Sequence, residues 1–93
     1  RIHMIKVSEI KTPNCTRCKA IEPEYIALKN KFIAEYPNDI NFYEYVLNVN
    51  DEAKEYMTKY GLKAAPSFVV EVDSTEGKVV KFDELEETLQ NLF

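Results

Sequence analysis

Thr12-Pro13-Asn14-Cys15-Thr16-Arg17-Cys18-Lys19 carries both cysteines of the chain, two residues apart, between a short β-branched run and a long helical pattern. A thiol in the first turn of a helix faces unpaired backbone N–H groups and the positive end of the peptide dipoles. Both favour thiolate over thiol. Cys15 is therefore a candidate nucleophile. Cys18, one turn further along the same face, can attack a mixed disulfide on Cys15 and release the partner reduced. Two other readings of the pair are weaker. A crosslink closing so short a loop restrains the unfolded chain very little. A structural zinc site takes about four ligands, and the chain offers two thiolates and one histidine.

Outward from this stretch, Met4 to Ile10 reads Met-Ile-Lys-Val-Ser-Glu-Ile, a strand closed by the Thr12-Pro13-Asn14 turn signal. On the other side, Cys18, Ile21, Tyr25, Leu28 and Phe32 recur at helical spacing, and Tyr36-Pro37-Asn38 ends the pattern. Pro23 lies within it, removes a backbone donor and is expected to bend the helix. Ile40 to Asn48 is rich in Tyr, Phe and Val without strict alternation, which predicts a strand covered on both faces. Two strands joined by a long helix form a right-handed βαβ unit, so they run parallel and the end of the first meets the helix start at one rim. Asn50 or Asp51 caps a second helix with Ala53, Tyr56, Met57 and Tyr60 on one face, and Gly61 closes it in a left-handed conformation.

Phe68–Val72 and Lys78–Phe82 predict an antiparallel hairpin around the loop 73–77, where Gly77 suits a tight position. Asp83 with Glu86 reads as a capping box for a last helix whose buried stripe is Leu85, Leu89 and Leu92. The expected order is β-α-β-α-β-β-α, an α/β fold with a four-stranded mixed sheet flanked by three helices.

The chain has 93 residues, 45% hydrophobic and 30% charged, which fits one domain with a modest core. We take that domain as residues 4–93. Arg1-Ile2-His3 ahead of Met4 reads as a remnant of an expression vector, so His3 receives no functional role. Net charge is −4 and the basic residues are scattered, which argues against nucleic acid or an anionic membrane as partner. No apolar run approaches the ~20 residues that span a bilayer. A cytoplasmic monomer is the expectation.

Cys15-Thr16-Arg17-Cys18-Lys19-Ala20-Ile21-Glu22-Pro23 resembles the thioredoxin signature, with a lysine after the second cysteine and a proline five residues beyond it. Tyr60-Gly61-Leu62-Lys63-Ala64-Ala65-Pro66-Ser67 is similar to the segment leading into that family's cis-proline. The resemblance covers nearly the whole chain from Met4 and implies the thioredoxin fold. It also implies that Pro66 is cis and lies against the cysteines, with the Ala65 backbone offered to an extended substrate beside Asn14, Thr16 and Arg17. Base rates for an arbitrary X-Pro bond favour trans. Glu9 stands six residues before Cys15, where the family carries a buried carboxylate that accepts a proton during release. In that role Glu9 takes the proton of Cys18; in the alternative it is a strand-end glutamate in solvent.

The departures are equally specific. Asn14 replaces the family's tryptophan, Thr16-Arg17 replaces Gly-Pro, and the extra N-terminal strand and helix are missing. The size is closer to glutaredoxin, yet Gly61 and Gly77 are the only glycines and no Gly-Gly precedes the last helix. The expected activity is thiol–disulfide exchange on a protein disulfide, with no bound cofactor. Reducing equivalents come from a thioredoxin-reductase-like flavoprotein or from glutathione. A glutathione-dependent glutaredoxin and a non-catalytic binding module, with Tyr25, Tyr56, Tyr60 and Phe68 as its surface, are the alternatives.

Overall fold

The structure, a computed structural model, describes residues 4–73 and 77–93. The Arg1-Ile2-His3 reading and positions 74–76 of the hairpin loop lie outside the described residues. Seven elements follow in the expected order: β1 (Ile5–Lys11), α1 (Thr16–Glu35), β2 (Ile40–Val46), α2 (Asp51–Tyr60), β3 (Ser67–Val72), β4 (Lys78–Val80) and α3 (Phe82–Leu92). They build one four-stranded sheet of order β2-β1-β3-β4. β1 pairs parallel with β2, as a βαβ unit requires, and antiparallel with β3, which closes the antiparallel hairpin with β4.

Ile5 and Val7 alternate along β1 and join Tyr25 and Phe32 of α1, Phe68 and Val70 of β3, and Leu85 and Leu89 of α3 in one buried cluster. The α1 stripe is therefore the one its spacing predicts. The helix continues through Pro23, whose missing donor does not end it. Tyr25 is the pivot of this core, with its ring 5.1 Å from Phe68, 6.2 Å from Phe42 and 6.3 Å from Phe82.

On the opposite face of the sheet lies α2. Tyr43, Tyr45, Tyr56 and Tyr60 stack in sequence at 5.7–6.1 Å, and the Lys6 ammonium sits over the first three rings. The Tyr56 and Tyr60 hydroxyls both reach the Glu71 carboxylate. Tyr45, Tyr56 and Tyr60 are half-buried in this stack and Tyr43 is 43% exposed, whereas Tyr25 and Phe68 are buried in the core.

Three local expectations are corrected. β2 is an edge strand whose two faces are only partly covered: Phe42 packs beside Tyr25 in the core and Tyr45 against Tyr56 of α2, while Asn41, Tyr43 and Glu44 are exposed. The Asn50 side chain does not cap α2; its Oδ1 instead accepts the Val46 N–H at 2.9 Å and ties off the end of β2. The Asp83–Glu86 capping box is absent as well. α3 starts at Phe82, so Asp83 already lies inside the first turn, and Glu86 pairs with Lys31 at 2.7 Å. Phe82 leaves the strand because its ring completes the aromatic core beside Tyr25 and Phe68. Gly61 has φ 63° and closes α2 as expected. Gly77 is required by contact: a Cβ there would stand 2.6 Å from Glu71 Cγ and 2.8 Å from Val69 Cγ1.

Candidate active site

Because β1 and β2 are parallel, their C-terminal ends share a rim, and the antiparallel β3 begins at that rim. Asn14 turns the chain from β1 into α1 with φ 58°, a left-handed conformation that asparagine adopts more readily than most residues. The turn signal Thr12-Pro13-Asn14 marks this bend in the sequence, and the resemblance adds contact with substrate as an expectation. Cys15 is then the N-cap of α1, and its Sγ accepts the backbone N–H of Cys18 at 3.1 Å. One of the orphan donors of the helix start is thus spent on the sulfur, the interaction that stabilises a thiolate.

Cys15 and Cys18 are bridged by a disulfide, with their Cα atoms 5.3 Å apart. The two sulfurs are not equivalent. Cys15 is half-buried at the rim, whereas Cys18 is only 5% exposed on the inward face of the helix. Thr16, Arg17 and Lys19 are exposed around them.

The Ala65–Pro66 peptide is cis, as the resemblance implies. Ser67, the next residue, is paired with Ile10 of β1, so Pro66 enters the sheet at the end where β1 leaves for Cys15. Ala65 and Pro66 are half-buried, and the Ser67 hydroxyl donates to the Ala64 carbonyl oxygen, fixing the turn.

Glu9 is 2% exposed, which rules out the solvent-facing alternative. It shares the face of β1 that carries Ile5 and Val7, beneath α1. In the ladder it stands opposite Glu44 of β2 on one side and Phe68 of β3 on the other. Burial pushes its carboxyl up to about 7; Lys11 opposes the shift, while Glu44 and Glu22 add to it. A carboxyl titrating near neutrality can take a proton and give it back at physiological pH. Lys11, two residues along β1, holds the Glu44 carboxylate at 2.9 Å. The Tyr25 hydroxyl is buried with no hydrogen-bond partner among the described residues. Burial first, then Glu9 and Glu44, raise its pKa. Sequence reading missed Lys11, Glu44 and Tyr25 as neighbours of Glu9: Lys11 shares its strand face two residues on, Tyr25 comes from α1, and the ladder register sets Glu44 opposite.

The arrangement thus holds a half-buried sulfur at a helix start, a shielded sulfur one turn on and the buried Glu9 carboxyl on the sheet face beneath the helix. Among the described residues no group of three or more His, Cys, Asp or Glu side chains is placed to hold a metal ion.

Comparison with known proteins agrees with this geometry. Among solved structures, thioredoxin from Fasciola hepatica superposes with a TM-score of 0.75 at 24% identity, over 97% of this chain and 82% of that one. Thioredoxin f2 from Chlamydomonas reinhardtii gives 0.67 at 26% identity over 98% and 81%, and the short form of thioredoxin f from spinach chloroplast 0.69 at 26% over 98% and 78%. No curated protein sequence matches significantly. The family model described as Thioredoxin matches residues 3–92, nearly the whole length, and with the Cys-x-x-Cys pair at the head of α1 and the cis-proline at the same rim, the chain belongs to the thioredoxin family.

Proposed function

We propose that the protein reduces disulfides in other proteins through the Cys15/Cys18 dithiol. The observation that carries this reading is the inequality of the two sulfurs. Cys15 is at the rim with a backbone N–H directed at its Sγ, and Cys18 is screened beneath it. In the reduced protein the Cys15 thiolate attacks one sulfur of the substrate disulfide, forming a Cys15–substrate bond and expelling the other substrate sulfur as a thiolate. Cys18 then loses its proton to Glu9 and attacks Cys15 Sγ. The mixed disulfide breaks, the second substrate thiol leaves, and the Cys15–Cys18 bridge remains. Two electrons have passed to the substrate.

Ala65, with the cis-proline beside it, offers backbone groups to an extended substrate segment, and Asn14, Thr16 and Arg17 border it. Returning the bridge to the dithiol takes two electrons from a second protein or from glutathione. The chain lacks a Gly-Gly pair before α3, and we therefore favour a thioredoxin-reductase-like flavoprotein. The reducing direction fits a cytoplasmic monomer, since that compartment keeps thiols reduced.

The test is to mix the reduced protein with a disulfide-linked protein substrate and follow release of free thiols. Wild type should release two thiols per substrate disulfide and end oxidised, and Cys15→Ser should release none. Two cysteines that are equally inert to alkylation and to disulfides would leave a binding module as the reading. Recycling assays with a flavoprotein reductase or with glutathione as sole reductant separate the two electron sources.

A further inference from the structure

The two edges of the sheet are unequal. β4 has only three residues, too short to be a good template for pairing, whereas β2 runs seven residues, with Glu44 as its one charge and no proline. The ladder to β1 fixes which backbone groups of β2 are already used. The Ile5 N–H donates to the Asp39 carbonyl oxygen and the Leu47 N–H to that of Lys11, both at 2.8 Å. In a parallel pair of this register Asn41, Tyr43 and Tyr45 turn their N–H and C=O groups toward β1, and Ile40, Phe42, Glu44 and Val46 turn theirs outward. Val46 is closed off: its N–H donates to Asn50 Oδ1 at 2.9 Å, and its carbonyl accepts from Val49 and Asn50. Ile40, Phe42 and Glu44 have no outward backbone partner among the described residues. Their open donors and acceptors alternate along the edge and are centred on Phe42.

We propose that this edge pairs with the same edge of a second copy, antiparallel and two-fold about Phe42, in a weak homodimer. Phe42 then faces Phe42 of the second copy and Ile40 faces its Glu44, so every open group finds a reciprocal partner. The register is unique. Centring the pair on Tyr43 sets Ile40 against Val46, whose groups are already held. Centring it on Asn41 carries Glu44 past the strand of the second copy. Side chains agree with the Phe42-centred pair. On the α2 face Tyr43, 43% exposed, comes to lie beside Asn41 of the second copy. On the other face the two Glu44 carboxylates stand four residues apart along the pair, about 13 Å. That exceeds the screening length of about 8–10 Å, so their repulsion does not prevent pairing.

Five residues a side, Ile40 to Glu44, set against the about 20–30 of a stable interface, keep the dimer weak, and the dilute protein is the monomer of the proposed reaction. β2 ends at the rim that carries Cys15, so antiparallel copies point their rims to opposite ends and both sites stay open. The test uses the oxidised protein and needs no activity, so it fails or succeeds apart from the proposed function. Sedimentation between about 10 μM and 1 mM should show monomer passing reversibly into dimer. Amide exchange followed by NMR should slow several-fold with concentration at Ile40, Phe42 and Glu44, and stay unchanged at Asn41, Tyr43 and Tyr45. In a mixture of labelled and unlabelled chains, the nearest interchain contact should join the α-protons of Asn41 and Tyr43. Glu44→Pro removes an outward donor and none from the ladder to β1, and should remain a folded monomer throughout the range. A wild type that stays monomeric at the top of the range, a dimer with interchain contacts elsewhere, or a dimer that Glu44→Pro retains would overturn the proposal. Should Glu44→Pro fail to fold, the wild-type exchange and interchain contacts decide it alone.

Discussion

Replacing Glu9 by glutamine offers a quantitative test of burial at the base of the site. The Glu9 carboxyl titrates at about 7 in the folded protein against an ordinary value of 4.5. Below the ordinary value both folded and unfolded chains hold the proton, and nothing is lost. Between the two values the unfolded chain has released its proton while the folded one keeps it, so stability falls as pH rises. Each unit is worth about 1.36 kcal/mol, so the whole window costs about 3 kcal/mol, complete once pH passes the folded value. A buried Gln is neutral throughout and escapes the loss. Urea unfolding of the oxidised wild type at pH 4 and pH 8, with Glu9→Gln as reference, isolates this one group. Relative to the variant, wild type should lose about 3 kcal/mol across the window, a midpoint lower by roughly 1–3 M urea. Parallel pH dependences would refute the reasoning and return Glu9 to solvent.

Other consequences concern single contacts. Gly77→Ala forces a Cβ against Glu71 and Val69 and should cost about 1–3 kcal/mol, read as a lower melting temperature. Gly61→Ala meets open space but keeps φ 63°, so it should cost about 1 kcal/mol from backbone strain alone. Tyr25→Phe removes a buried hydroxyl that has no hydrogen-bond partner among the described residues and should raise stability by about 1 kcal/mol in urea titration; a loss of stability would mean that the hydroxyl is bonded.

The fold was legible because its signals are local and agree with one another. The α1 stripe from Cys18 to Phe32, the left-handed Gly61 and the hairpin strands each follow from spacing or turn chemistry, and β-helix-β order then dictates the parallel pair. The misreadings arose where two local rules competed. Asp83 and Glu86 match a capping box, yet Phe82 gains more by packing on Tyr25 and Phe68, which starts α3 earlier. The aromatic run of β2 suggested two covered faces because a stack of tyrosines under a lysine has no signature in one strand. At the site, both cysteines and Pro66 could be read from motifs. The surroundings of Glu9 could not, since Glu44 lies 35 positions away and only the ladder register sets it opposite.

The central claim is that Cys15 attacks and Cys18 resolves. It is tested most directly by incubating the reduced Cys18→Ser variant with a disulfide-linked protein substrate and measuring the intact mass under non-reducing conditions. The account predicts a stable mixed disulfide joined through Cys15, reversed by added thiol, whereas Cys15→Ser yields none. A trapped species on Cys18 in the Cys15→Ser variant, with none on Cys15, would contradict it.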